Sequence, residues 1–205
     1  MNKLWRFVSI VLLVASATPI LYSQDQKGSS FSIVMTVSPN DFTDREYFET
    51  RKILQESGAR ITVASIAKGL ATSHDGKRIG IDASINELMP SQFDAIVLIG
   101  GMGAINELLG SESLRNLLIA AYHQRKIVAA ICVAPILLAK AGLLRNKEAT
   151  CYSADPIINE MKRDGAIYKD SEVLLSERII TANSPDASDA FARRIIEALK
   201  NKDAK

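Results

Sequence analysis

Four short runs of the chain are apolar nearly throughout: FSIVMTVS (31–38), ARITVASI (59–66), FDAIVLI (93–99) and KIVAAI (126–131). Runs of this length, rich in β-branched residues, predict strands covered on both faces. Between them the period changes. TDREYFETRKILQESG (43–58) carries Tyr47, Phe48, Ile53 and Leu54 at mainly helical spacing and stops at Gly58. SESLRNLLIAAYHQRK (111–126) is amphipathic, with Ser111 as its N-cap. Residues 134–142, 156–164 and 186–200 predict three more helices, 149–152 a short strand and 172–181 a hairpin. Segment 68–91 reads as loop, with Gly69, Gly76 and Gly80 and a small hairpin around Lys77 to Ile81. Apolar strands alternating with helices predict one doubly wound α/β domain, a mostly parallel sheet with helices on both faces.

The first residues follow a different pattern. Lys3 and Arg6 precede FVSIVLLVASA, and Ala15-Ser16-Ala17 fits a small-x-small processing site. This is the layout of a secretory signal peptide, over residues 1–23, with cleavage after Ala17 or Ser23. The expected destination is periplasmic or secreted, with no stable membrane insertion once the signal is removed. The alternative is an uncleaved anchor, since the uncharged run from Phe7 to Gln24 is near spanning length; Pro19 and several polar residues interrupt it. Residues 24–30 read as a polar linker, 31–200 as the folded domain and 201–205 as a tail. Without Lys3 and Arg6 the chain holds equal numbers of basic and acidic residues, 23 of each. A formal net charge of +2 on the whole chain, with no basic stripe, argues against nucleic acid as a partner.

In open parallel sheets ligands sit at the carboxyl ends of the strands. Three candidate places fall there: the turn from Ser38 to Glu46, the pair Gly100-Gly101, and Cys132. Cys132 follows an apolar strand at once, and Pro135 fits the first turn of the next helix. A strand that turns abruptly into a helix presents its turn residue at the sheet edge, as in nucleophile elbows. Backbone N–H groups at the helix start would favour the thiolate and lower its pKa, and Gly101 and its neighbours could donate N–H groups to an oxyanion. Two other readings of Cys132 stand beside this one. Free cysteine is often a small buried filler, and an exported chain with two cysteines, Cys132 and Cys151, admits a disulfide. No cluster with zinc-ligand spacing is present, so no metal is expected; a cysteine nucleophile with a carboxyl partner needs no organic cofactor.

Four stretches together resemble a known family: NDFTDREYFETRKILQESG, FDAIVLIGGMGA, AAICVAPILLAKAGLL and IITANSPDASDAFARRIIEAL. Their order and spacing, from about Ser32 to Leu199, resemble the DJ-1/PfpI (ThiJ/PfpI) superfamily, with its flavodoxin-like, class I glutamine amidotransferase-like fold. The resemblance implies Cys132 as the elbow cysteine and Glu46 as the carboxyl that contacts it. It implies the N–H groups of Gly101 and Val133 on the oxyanion side, with Gly100 beside them. It further implies cysteine-dependent glyoxalase- or deglycase-like chemistry on small reactive carbonyls or their protein adducts, and a homodimer or higher homo-oligomer. A redox-sensing or stress-chaperone role is the non-enzymatic alternative, and a PfpI-type cysteine peptidase a third.

The departures bear on mechanism. Val133 stands where protease-like members have histidine, Ala134 where many relatives have glycine, and Ala149-Thr150-Cys151-Tyr152 where others bring a histidine. The chain has two histidines, His74 and His123, both read here as solvated. Without a nearby base the Cys-His peptidase reading loses its proton carrier. Alternation along 149–152 would turn Tyr152 toward the pocket and Cys151 away from it.

Overall fold

The structure, a computed structural model, describes residues 31–203. The proposed signal and linker, residues 1–30, lie outside the described residues, as do residues 204–205 of the tail. The elements run β1 (Ser32–Thr36), β2 (Asn40–Phe42), α1 (Asp44–Glu56), β3 (Arg60–Ser65), β4 (Gly69–Ser73), β5 (Arg78–Ile81), β6 (Ala83–Ser84) and β7 (Ala95–Leu98). There follow α2 (Glu112–His123), β8 (Ile127–Ile131), α3 (Pro135–Lys140), β9 (Glu148–Ala149), α4 (Asp155–Arg163), β10 (Ile167–Tyr168), β11 (Val173–Ser176), β12 (Ile179–Ala182) and α5 (Ser188–Asp203).

The main sheet has seven strands in the order β11-β12-β8-β7-β1-β3-β6, and only β11 runs antiparallel to its neighbour. Its central strands are apolar because both faces are covered: β7 and β8 are buried at every position. Helices α1 and α5 pack on each other, and α5 also packs on β8 and β12; α2 packs on β7 and β8 and against α3. The α/β sheet expected from the alternation is therefore present, with helices on both faces.

The topology puts a crevice where the sequence placed its candidates. From β1 the chain crosses to β3 on one side and later returns to β7 on the other. Such a reversal opens a gap beyond the carboxyl ends of the strands. Register then fixes the neighbours. Leu98 pairs with both Thr36 and Ala130, so two residues further on Gly100 comes level with Cys132.

Several elements differ from expectation. The strand expected over 149–152 is only Glu148–Ala149, and it pairs with β10 in a separate two-stranded ribbon rather than beside β8. Segment 68–91 contains more than a small turn. β4 and β5 form an antiparallel hairpin, and β2 joins β4 to make a second, three-stranded sheet. The hairpin closes through Ser73, His74, Asp75, Gly76 and Lys77, with Gly76 at φ +82°, the left-handed position such loops need. A π-helical turn, Ala104–Leu108, follows the double glycine and was not signalled by periodicity. On α1, Tyr47 and Leu54 are buried as expected but Phe48 is exposed, and Glu46 takes its place on the inward face.

The cap expected for α2 is formed: Ser111 Oγ accepts the Leu114 N–H at 3.2 Å. Ser111→Ala is expected to lower unfolding free energy by about 1 kcal/mol with an unchanged m-value. Urea denaturation of the two proteins checks this.

Candidate active site

Three backbone segments converge at the crevice, and each has a physical reason to be there. Cys132 sits in the turn between β8 and α3 with φ +62°, an unfavourable conformation for a residue with a side chain. It is pinned on both sides: its N–H donates to Ala182 O at 2.9 Å, and its carbonyl accepts the Tyr152 N–H at 2.8 Å. Gly100 lies directly across from it. A methyl group at Gly100 would stand 2.8 Å from Glu46 Oε2 and 3.0 Å from Cys132 Cβ, so only glycine lets the carboxyl and thiol approach. Gly101 adopts φ +101°, and a methyl group there would collide with the backbone of Asp41, Phe42 and Thr43.

Glu46 has no exposure to solvent. Its Oε2 accepts the Gly100 N–H at 2.7 Å, while Oε1 has no full hydrogen-bond partner among the described residues. Burial pushes the carboxyl from its usual 4.5 up to about 7; the Gly100 N–H, the Cys132 thiol and the Thr43 hydroxyl pull the other way and only limit the rise. Cys132 is 6% exposed. Its thiol is also pushed far up, first by burial and then by the charge and hydrogen bonding of Glu46; the N–H groups of Val133 and Gly101 reach the sulfur and oppose this. The direction is opposite to the lowered thiol pKa expected from a helix start. α3 has six residues and a weak dipole, whereas a buried carboxylate lies beside the sulfur. Glu46 holds the thiol proton on sulfur while the neutral thiol eases ionisation of Glu46, and a thiolate is relieved of the carboxylate's charge only when Glu46 takes the proton.

The cleft above the sulfur has a volume of about 440 Å³, and Cys132, Val133, Gly101, Met102 and Tyr152 line its inner side. Tyr152 faces it although residues 150–152 form no strand, and it is 45% exposed. Cys151 is fully buried, with its thiol pushed up to about 12 by burial alone, and both cysteines are free. Gly100 lies behind the cleft, between Glu46 and Cys132. No group of acidic, histidine or cysteine side chains among the described residues is arranged to hold a metal ion.

One feature escaped the sequence reading. His74 lines the same cleft, with Asp41, Asp44 and Asp75. It is solvated as expected, its side chain 75% exposed, but it is not remote from the thiol's cleft. The signal available was the spacing of a tight hairpin, Ser73 to Lys77, in a segment read mainly as loop.

Glu46 also sets a pH dependence of stability. Its folded-state pKa, about 7, lies above the ordinary 4.5. The stabilisation is complete below 4.5 and is lost as pH rises through 7, because the folded state must then ionise a buried carboxyl. Unfolding free energy is expected to fall by about 3 kcal/mol between pH 4.5 and 8 from this group. In Glu46→Gln that part of the slope disappears. Denaturant titrations across the range read both.

The chain is similar to several known proteins. The putative cysteine protease YraA of Bacillus subtilis is 32% identical over 78% of this chain and 94% of its own. The deglycase PfpI of Pyrococcus furiosus is 29% identical over 82% of this chain and 99% of its own. The crystal structure of a ThiJ/PfpI domain protein from Brachyspira murdochii superposes with a TM-score of 0.80 at 32% identity, covering 85% of this chain and 99% of that one. The model of the DJ-1/PfpI family matches residues 32–198, and the chain belongs to that family.

Proposed function

We propose that the protein is a cysteine-dependent enzyme of the glyoxalase or deglycase type, acting on small reactive carbonyls or their adducts on proteins. The carrying observation is the Cys132–Glu46 pair facing a cleft of about 440 Å³, with the N–H groups of Gly101 and Val133 directed at the sulfur. The volume lies at the low end of small-molecule sites. It suits a two- or three-carbon aldehyde, or one modified side chain, better than an extended peptide. The naming of relatives as deglycases supports the same chemistry. In this reading the mature chain is exported and works as a homodimer or higher homo-oligomer.

A 2-oxoaldehyde shows how the pair would work. Transfer of the thiol proton to Glu46 leaves a thiolate, which adds to the aldehyde carbon. A C–S bond forms, and the carbonyl π pair becomes an oxyanion beside the Gly101 and Val133 N–H groups. After protonation of that oxygen, the C1–H and C1 hydroxyl protons move to C2 and its oxygen. C1 is oxidised as C2 is reduced, so no external oxidant is needed. Water then cleaves the resulting thioester, releasing a 2-hydroxy acid and restoring the thiol. Glu46 at about 7 can both accept and return a proton near neutrality.

The direct test is turnover of methylglyoxal to lactate by the purified protein. Cys132→Ser is expected to abolish it, and Glu46→Gln to lower kcat by about 10²-fold or more. Cys151→Ser should stay within about twofold of the parent, since burial is the sole cause acting on that thiol. A parent protein without turnover on methylglyoxal or on glycated peptides refutes the proposal.

A further inference from the structure

The reaction just described needs a proton at a place Glu46 does not serve. Glu46 lies beneath the sulfur, bonded to the Gly100 N–H and beside the thiol. In that reaction the substrate's oxygens and C1–H would lie on the open side of the cleft, which Glu46 does not line. A proton carrier there must titrate near neutrality, and imidazole is the side chain that ordinarily does so. His74 is the one imidazole among the residues lining this cleft.

The surroundings hold His74 in place from two directions. Its backbone N–H donates to Phe42 O at 2.9 Å, and Nδ1 lies 2.8 Å from Asp41 Oδ1. Asp41 and Phe42 belong to β2, which is packed against Gly101 and tied to the glycine turn by the Thr43 N–H to Gly100 O bond of 3.2 Å. Asn40 is clamped in turn by Glu107, whose carboxylate accepts the Asn40 N–H at 3.0 Å and Nδ2 at 2.9 Å. The hairpin is locked down at Asp44, which accepts the Ser73 hydroxyl at 2.7 Å and the Asp75 N–H at 3.0 Å and pairs with Lys77 at 3.3 Å. Asp41 itself adopts φ +55°, so two strained non-glycine residues, Asp41 and Cys132, line one cleft. Bonding of Nδ1 to a carboxylate fixes the tautomer and leaves Nε2 as the exchangeable position.

We infer that His74, oriented by Asp41, is the proton carrier on the open side of the Cys132 cleft, in place of the histidine that this chain lacks next to its cysteine. The inference rests on the aldehyde reading for its substrate. The imidazolium gives its Nε2 proton to the oxyanion formed when sulfur adds to C1. The neutral imidazole then takes the C1–H proton, whose bonding electrons form the C1–C2 double bond of an enediol, and returns it to the C2 oxygen. It next carries the C1 hydroxyl proton to C2, which leaves the thioester and a neutral ring. The ring regains its charge from the proton that water loses on attacking the thioester, while Glu46 returns its proton to the leaving sulfur. Asp41 does no chemistry; it is a positioning residue that also favours the imidazolium. Hydrogen bonding and charge from Asp41, then the charges of Asp75 and Asp44, raise the His74 pKa above its ordinary 6.5; Arg45 and Lys77 are the nearby cations.

The experiment has two readouts. In steady-state kinetics with methylglyoxal, His74→Gln is expected to lower kcat about 10²-fold and change KM less than about threefold. The same substitution removes the alkaline limb of the kcat–pH profile, and Asp41→Asn moves that limb to lower pH. Added imidazole restores part of the activity of His74→Ala, which a structural role would not allow. Cys132 alkylation by iodoacetamide stays at the parent rate in all three, showing that the thiol pocket is intact. The second readout does not need turnover. The chain has two histidines, so imidazole NMR titration resolves His74 by its loss in His74→Gln. Its pKa is expected above 6.5, to fall in Asp41→Asn, and to rise further when iodoacetate places a carboxylate on Cys132. An unchanged kcat–pH profile in His74→Gln, or a His74 pKa indifferent to carboxymethylation, overturns the inference. A parent inactive on aldehydes with that coupling intact overturns the aldehyde reading alone and keeps His74 as the titrating group of the cleft.

Discussion

A carboxyl group buried without solvent beside a thiol is an expensive arrangement, and the site is organised around it. Glu46 reaches the interior because it sits one residue before Tyr47 on the inward stripe of α1, where Thr50 and Leu54 continue the buried face. It is tolerated because Gly100 offers it an N–H at 2.7 Å and because it can hold its proton up to about pH 7. An ionised carboxylate there, with one oxygen lacking a full partner, would be uncompensated. Once ionised, Glu46 is the group placed to accept a proton from the neighbouring sulfur.

That pairing constrains the backbone for several residues around it. Gly100 must lack a side chain for Glu46 and Cys132 to approach, and Gly101 must lack one for β2 to cross it. Gly103 is likewise pressed against Asn40 and Ser38. The chain after β1 is thus threaded over a glycine path, and the close passage carries Asp41 and Thr43 to the cleft. Phe42 anchors this segment from below, fully buried and packed edge-on against Tyr47 with ring centroids 5.4 Å apart. The strain at Asp41 and Cys132 is sustained by these surrounding contacts, in keeping with where backbone strain usually accumulates.

What could be read from the sequence follows from how local each cause is. The four apolar runs specified the central strands because burial on both faces leaves a continuous signature. Ser111 and Gly58 marked helix ends for local reasons of capping and left-handed backbone. Cys132 stood out because a cysteine directly after a buried strand falls at the sheet edge, and β8–β7–β1 register then places it level with Gly100. The misses are of another kind. β9 is two residues long and paired only to β10, so no periodicity could define its extent. The position of His74 depends on the β4–β5 hairpin docking through Asp44, a contact 31 residues distant in sequence from Asp75. The thiol's direction of shift was misread because the helix start is visible in sequence, whereas the charge of a carboxylate brought in from α1 is not.

The two cysteines differ in their surroundings rather than in exposure. Both are buried, and burial raises the pKa of both. For Cys151 burial is the sole cause: among the described residues no carboxyl or backbone N–H shifts its thiol as Glu46, Val133 and Gly101 shift that of Cys132. Cys132 is raised further by Glu46, which on a simple view makes it the poorer nucleophile. The same carboxyl, however, can accept the proton it discourages the thiol from losing to water. The site therefore favours relocation of a proton within the pair over its release to solvent. The N–H groups of Gly101 and Val133 are already directed at the negative charge that results. In the reaction proposed, a thiolate made this way exists only in contact with its acid, which ties its reactivity to electrophiles small enough to enter the cleft.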